Sequence, residues 1–237
     1  MPAANPTVNP TDSWTTPSAL RRERAALITI MIVAAAVFGL LTAIVASELA
    51  GTAFDHRVEP WLFDVTRGSA VLTGAGRLLN IIGGDLVSIV LVTFVAITLL
   101  VHRHRLLTGY LVASAVGGVL LTTFVKALVD QPRPPTVGIL LSESTSSFPS
   151  GHATSGITTY VALAVVALVT QPRGKRWWIA GPIAALGVVI GVSRVALGVH
   201  WPTDVMAGWA LGTLWTSLVA LVIVLVVSRR IRVASSV

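Results

Sequence analysis

PTDVMAGWALGTLWTSLVALVIVLVVSRR, residues 202–230, decides the fold class. Asp204 is followed by an uncharged run from Val205 to Val227, and the run ends on Arg229 and Arg230. A bilayer core of about 30 Å takes about 20 apolar residues of helix at about 1.5 Å each. The stretch therefore reads as a spanning helix with an acidic start and a basic end. Working outward, five more stretches have this character: Ala25–Leu49, Leu86–Val101, Leu106–Val129, Ala153–Thr170 and Trp177–Val192. The expected fold is all-α, a polytopic bundle of six transmembrane helices.

Composition agrees. Of 237 residues, 54% are hydrophobic and 11% charged, whereas a soluble domain carries about 25% charged residues. That excludes an ordinary soluble enzyme, a disordered chain and a coiled coil. The absence of Cys excludes a disulfide, a thiolate nucleophile and a Cys-ligated metal.

The basic excess, 17 Lys and Arg against 10 Asp and Glu, is explained by placement. Arg21, Arg22, Arg24, Arg103, Arg105, Arg173, Lys175, Arg176, Arg229, Arg230 and Arg232 all fall at one face of a six-span chain. The positive-inside rule makes that face cytoplasmic, with both termini inside. The charge is thus a topology signal rather than a nucleic-acid footprint. Trp177 and Trp178 at the inner end, and Trp201 at the outer end, fit interfacial belts. Residues 1–20, rich in Pro, Thr, Asn and Ser, read as a disordered cytoplasmic tail. Residues 21–232 read as the membrane domain and 233–237 as a second tail. The first apolar stretch is too long for a signal peptide and reads as an uncleaved anchor. The Ala, Val, Gly and Arg bias points to a GC-rich bacterial genome and hence a bacterial plasma membrane.

Residues 51–84 interleave Phe54, Val58, Trp61, Leu62 and Val65 with Asp55, Arg57, Glu59, Asp64 and Arg67. They read equally as an amphipathic helix on the outer surface or as an irregular connection. Ala113 with Gly117, Gly187 with Gly191, and Gly208 with Gly212 are spaced for close helix packing.

The polar residues concentrate in three outer segments. The first is KALVDQPRP, Lys126–Pro134; alone, Lys126 and Arg133 read as a snorkelling Lys and a solvated Arg. The second is PSGH, Pro149–His152, where Ser150 suits a helix N-cap and Gly151 permits close approach of a ligand. The free N–H groups of that helix face outward and form an anion site. The third is SRVALGVHWPTD, Ser193–Asp204. Pro202 suits the first helical position, which puts Asp204 in the first turn and His200 just outside. A carboxylate there either caps the helix beside an unrelated His, or holds Nδ1–H and leaves Nε2 with a free lone pair. Taken together, Lys126, Arg133, Arg194, a helix N-terminus, two His and one Asp meet at one membrane face. Anion binding accounts for the cations in one stroke. A two-His, one-carboxylate metal site of His152, His200 and Asp204 is the competing reading, opposed by the cations around it.

The ordered trio KxxxxxxRP, PSGH and SRxxxxxHxxxD is matched without a mismatch and resembles the type 2 phosphatidic acid phosphatase superfamily, the lipid phosphate phosphatases. The resemblance covers roughly residues 85–225. It implies a phosphatase that needs no metal or cofactor and forms a covalent phosphohistidine. By position, it implies that His200 attacks phosphorus, that Asp204 orients His200, and that His152 protonates the leaving oxygen. It assigns Lys126, Arg133, Ser150, Gly151 and Arg194 to the phosphoryl oxygens. The same motifs occur in soluble vanadate-dependent haloperoxidases, a class that six apolar spans disfavour. The partners expected are a lipid phosphate and the surrounding membrane lipids, with no nucleic acid. The outward-facing site suits a polyprenyl diphosphate of undecaprenyl or decaprenyl type, with phosphatidic acid and phosphatidylglycerol phosphate as alternatives. The loop Pro134–Phe148 is expected to cover the pocket or select the headgroup. A transporter or lipid flippase is the rival from another class; it would place ionisable groups near the midplane rather than at one end.

Overall fold

The computed structural model describes residues 17–47 and 51–234. The described residues form helices α1 (Pro17–Ser47), α2 (Asp55–Arg67), α3 (Ala70–Ile82), α4 (Asp85–Val101) and α5 (Arg105–Leu128). After a long loop come α6 (Gly151–Ser155), a π-helical turn (Gly156–Val161), α7 (Ala162–Thr170), α8 (Arg176–Ala196) and α9 (Pro202–Ala234). Five helices, counting Gly151–Thr170 as one, are long and apolar enough to cross a membrane. Helices α3 and α4, bent by 52° at their junction, are together long and apolar enough to make a sixth, broken span. Alone, α4 has 17 residues, a length of about 25 Å, which falls short of a bilayer core of about 30 Å. The protein is thus an all-α membrane bundle. The helix α1 begins at Pro17, inside the stretch read as a tail; residues 1–16 and 235–237 lie outside the described residues.

The Gly151–Thr170 span is the centre of the bundle. Its most apolar window is 67% buried, against 17–39% for the other four helices. Small residues let its neighbours in. Gly156 and Gly187 bring the backbones of the π turn and α8 into contact, and a Cβ on Gly212 of α9 would lie 2.8 Å from Ile157. On α5, Gly117 makes room for Trp215, whose Nε1 donates to the Ala113 carbonyl at 2.9 Å. All three small-residue pairs read from the sequence therefore lie at helix crossings. On the outside, Leu86, Ile89, Val90, Phe94 and Ile97 of α4 form an exposed apolar stripe of the kind that faces lipid.

Two expectations are corrected. The interleaved residues of the 51–84 segment form a helix, α2, and a second helix, α3, follows it in place of an irregular connection. The buried face of α2 is not the apolar set read from the sequence. Asp55, Glu59, Phe63 and Thr66 are buried, while Phe54, Trp61 and Val65 are exposed. The carboxylates turn inward because donors wait there: Thr203 for Asp55 and Thr136 for Glu59. Trp201 is no belt residue either. It is 2% exposed, donates to the Pro132 carbonyl at 3.0 Å and meets His56 edge-on at 5.0 Å. Trp177 and Trp178 are exposed at the start of α8, as an interfacial pair requires.

The Gly156–Gly187 contact has no room for a side chain. Gly187→Val is expected to destabilise the bundle by about 1–3 kcal/mol through overpacking. Thermal unfolding in detergent checks this, and an unchanged midpoint contradicts it.

Candidate active site

The site forms where four chain segments end together. Helix α5 finishes with Lys126, and the loop after it doubles back over the bundle end, carrying Arg133 and Glu143. Ser150 caps α6, its hydroxyl accepting from Ala153 N at 3.4 Å. Helix α8 ends with Arg194, and a left-handed turn at Gly198, φ +69°, leads through His200 into α9. A backbone bond from Ser150 N to the Asp204 carbonyl, 3.0 Å, ties the start of α6 to the start of α9.

His200 and Asp204 form the buried centre, at 2% and 0% exposure. His200 Nδ1 lies 3.2 Å from Asp204 Oδ2. The same oxygen accepts from Ser147 Oγ at 2.5 Å and from Trp201 N at 2.9 Å. The other ring nitrogen, Nε2, lies 3.3 Å from Arg133 Nη1. A guanidinium only donates, so Nε2 is the accepting nitrogen and the proton of a neutral ring sits on Nδ1. Burial holds the His200 pKa well below the ordinary imidazole value, and the charges of Arg133, Arg194 and Lys126 push it further down. The ring is therefore neutral at pH 7, with its lone pair toward the cations.

Arg133 is fixed by the backbone. It donates to the Val199 carbonyl at 2.6 Å and to the Thr145 carbonyl at 2.8 Å. Burial lowers its pKa, and the carboxylates of Glu143 and Asp204 oppose that shift. Lys126 donates to the Ser146 carbonyl, and Ser147 O lies 3.4 Å from its ammonium. Arg194, fully buried, reaches Asn80 Oδ1 and Glu143. His152 Nε2 lies 3.2 Å from the Asn80 carbonyl, which can only accept. A continuous arc of contacts thus joins the two imidazoles, from His200 through Arg133, Glu143, Arg194 and Asn80 to His152. Lys126, Arg133, Ser150, Gly151, His152, Arg194, His200 and Asp204 all belong to this one end of the bundle.

The geometry disfavours the metal reading of His152, His200 and Asp204. His200 turns Nδ1 to Asp204 and Nε2 to a guanidinium, and His152 turns Nε2 to a carbonyl. No group of three His, Cys, Asp or Glu among the described residues is arranged to hold a metal ion.

The sequence reading missed Glu143, Asn80 and Ser147. Glu143 lies 3.9 Å from Arg133 and pairs directly with Arg194, so its carboxylate sits between the two guanidiniums. A signal was available: it is the one acidic residue in the loop 134–148. Asn80 stands alone among apolar residues in the run LLNII and gave a weaker signal. Ser147 gave none, because one Ser among Ser142, Ser144, Ser146 and Ser147 cannot be singled out by pattern.

Residues 105–228 match the PAP2 superfamily. The chain is 39% identical to the undecaprenyl-diphosphatase of Sulfolobus acidocaldarius over 130 residues, which is 53% of this chain and 59% of that protein. The match thus spans about three-fifths of that relative's length. It is 31% identical to phosphatidylglycerophosphatase B of Bacillus subtilis over 167 residues, 68% of this chain and 75% of that one. The crystal structure of the transmembrane PAP2-type phosphatidylglycerolphosphate phosphatase of Bacillus subtilis superposes with a TM-score of 0.68 at 25% identity, covering 80% of this chain and 94% of that one.

Glu143 is a resident anion between two guanidiniums, so an oxyanion that bound both of them would displace it. Glu143→Gln is expected to bind orthovanadate about tenfold more tightly, equivalent to about 1.4 kcal/mol. A titration of the purified variant checks this, and weaker binding contradicts it. His200 also predicts a pH effect on stability. With its folded pKa below the unfolded value of about 6.5, the unfolded chain takes up a proton that the folded one refuses. Stability contributed this way is complete above that value and is lost as pH falls below it. The midpoint of the wild type should therefore drop more from pH 7.5 to pH 5.5 than that of His200→Gln. Parallel curves would contradict a neutral, buried ring.

Proposed function

Because the chain belongs to the PAP2 superfamily, we propose that it is a membrane lipid phosphatase that works through a phosphohistidine on His200. One observation carries this reading: an imidazole whose Nδ1 faces a carboxylate at 3.2 Å while its Nε2 faces a guanidinium at 3.3 Å. An oxyanion held by that guanidinium places its phosphorus against the lone pair.

The reaction runs in two displacements. His200 Nε2 attacks phosphorus, an N–P bond forms, and the bond from phosphorus to the leaving oxygen breaks. Protonated His152 gives its proton to that oxygen, releasing the lipid product. Asp204 steadies the Nδ1–H of the ring as positive charge develops. Water then attacks phosphorus, His152 takes a proton from it, the N–P bond breaks, and inorganic phosphate leaves. Lys126, Arg133, Arg194 and the N–H groups that open α6, with Ser150 and Gly151, bind the equatorial oxygens, where charge gathers in the transition state. Glu143 withdraws from Arg133 and Arg194 when the phosphoryl group enters.

The eleven inner Lys and Arg residues lie at the opposite end of the helices from this site. The positive-inside rule then puts the site on the extracytoplasmic side and both termini in the cytoplasm. A lipid headgroup enters there while its tails stay in hydrocarbon. A polyprenyl diphosphate is the proposed substrate, in line with the 39% identity to an undecaprenyl-diphosphatase. Phosphatidylglycerol phosphate is the second reading, favoured by the longer match to a phosphatidylglycerophosphatase. The gathering of ionisable groups at one end disfavours a transporter.

The test is phosphate release by purified protein from undecaprenyl diphosphate, phosphatidylglycerol phosphate and phosphatidic acid, with and without EDTA. The expected result is turnover that EDTA leaves unchanged, fastest on the polyprenyl diphosphate. His200→Ala should lower the rate by about 10³-fold or more. Inhibition by EDTA, or an active His200→Ala, would overturn the mechanism.

A further inference from the structure

The proposed reaction leaves unused the buried acidic edge of α2. Asp55 is fully buried, yet it lies neither on the arc between the imidazoles nor against a guanidinium. Donors converge on its carboxylate from two directions. Thr52 N and Thr52 Oγ1 each lie 3.0 Å from Oδ2 on its own side. From α9, Thr203 N donates to Oδ1 at 2.9 Å and Thr203 Oγ1 to Oδ2 at 2.8 Å.

Those last two bonds fall where α9 lacks a cap of its own. The helix opens Trp201-Pro202-Thr203-Asp204. Pro202 has no N–H to satisfy. An indole cannot accept from Thr203 N as a Ser or Asp at the capping position would. Asp204 serves the other end of this turn, its Oδ2 accepting from Trp201 N at 2.9 Å in the manner of a capping-box carboxylate. One turn therefore has two free amides ended on two carboxylates. One is the partner of His200, and the other is brought by α2.

We propose that Asp55 is a positioning residue: it caps α9 from outside and so sets the rotation of the turn that aims Asp204 at His200. The rest of α2 points the same way. Glu59, one turn on, accepts from Thr136 Oγ1 at 2.5 Å, and that hydroxyl lies 3.1 Å from the Gly198 carbonyl. Gly198 packs so closely on Phe63 that a Cβ there would come within 2.7 Å of the ring. Helix α2 thus grips the chain both before and after His200. Mere adhesion between α2 and α9 would be achieved at lower cost by apolar side chains, since a buried carboxylate is unfavourable unless fully hydrogen-bonded. What a carboxylate adds is direction.

The inference rests on the phosphatase reading. It is tested on the full chain in detergent, with the lipid phosphate that the wild type turns over. Asp55→Asn keeps the volume but swaps an acceptor for a donor. It is expected to lower kcat about 10–100-fold, since sub-ångström misplacement of a reacting group is that costly. KM and orthovanadate binding should stay within about threefold, because Lys126, Arg133 and Arg194 make no contact with Asp55. Thr203→Val should also lose rate, and Thr203→Ser, which keeps the hydroxyl, should recover most of that loss. This pair decides the matter if Asp55→Asn does not fold. Wild-type kcat in folded Asp55→Asn, a matched fall in kcat and orthovanadate affinity, or Thr203→Ser as slow as Thr203→Val would overturn the positioning role. A wild type that releases no phosphate from any lipid phosphate would instead overturn the phosphatase reading.

Discussion

Positive charge crowded around a neutral imidazole is the constraint on which this structure turns. Burial acts against protonation of His200, and the charges of Arg133, Arg194 and Lys126 add to it. Left alone, such a cluster at the rim of an apolar bundle would be strongly unfavourable. It persists because the protein surrounds it with acceptors. Backbone carbonyls of Thr145, Ser146 and Val199 take the ammonium and guanidinium hydrogens, and Glu143 lies between the arginines. In the proposed reaction the phosphoryl oxygens take over the place of Glu143 between the two guanidiniums.

The spans and their ends divide the task. Within the membrane, the chain uses small residues to bring helices close, as at Gly156 and Gly187. Its hydroxyls there largely bond back to their own helix, as Thr42, Thr98 and Thr216 do. Directional side-chain bonds between distant segments gather instead at one end, where α5, α6, α8 and α9 start or stop. A rigid bundle with irregular, carbonyl-rich chain at one rim is what a preorganised oxyanion site requires. Helix α2, lying at that rim, contributes two buried carboxylates to the same framework.

The fold was legible because a spanning helix is a long signal. Val205–Val227 needs no partner to be read, and the basic residues between spans mark alternate ends. That the candidate site residues gather at one rim was legible because they sit in three short segments with recognisable spacing. What escaped were residues defined by their partners. Asp55 and Glu59 looked like the polar face of a surface helix; their donors, Thr203 and Thr136, lie 148 and 77 residues away in sequence. Trp201 looked interfacial, and its burial depends on the Pro132 carbonyl and His56. Glu143 stands out as the single acidic residue of its loop, but its role comes from two arginines on other segments. Periodicity reports on a helix and its solvent, but not on a hydrogen bond closed by a distant loop.

The claim that His200 takes the phosphoryl group is tested most directly by trapping it. Wild-type protein is mixed briefly with lipid phosphate labelled with ³²P at the scissile phosphoryl group, quenched in alkali and digested, and the labelled peptide is sequenced by mass spectrometry. The account predicts a phosphoryl group that survives base, is lost in acid and maps to His200. A label on any other residue, or burst-phase phosphate release with no labelled protein at all, would contradict it.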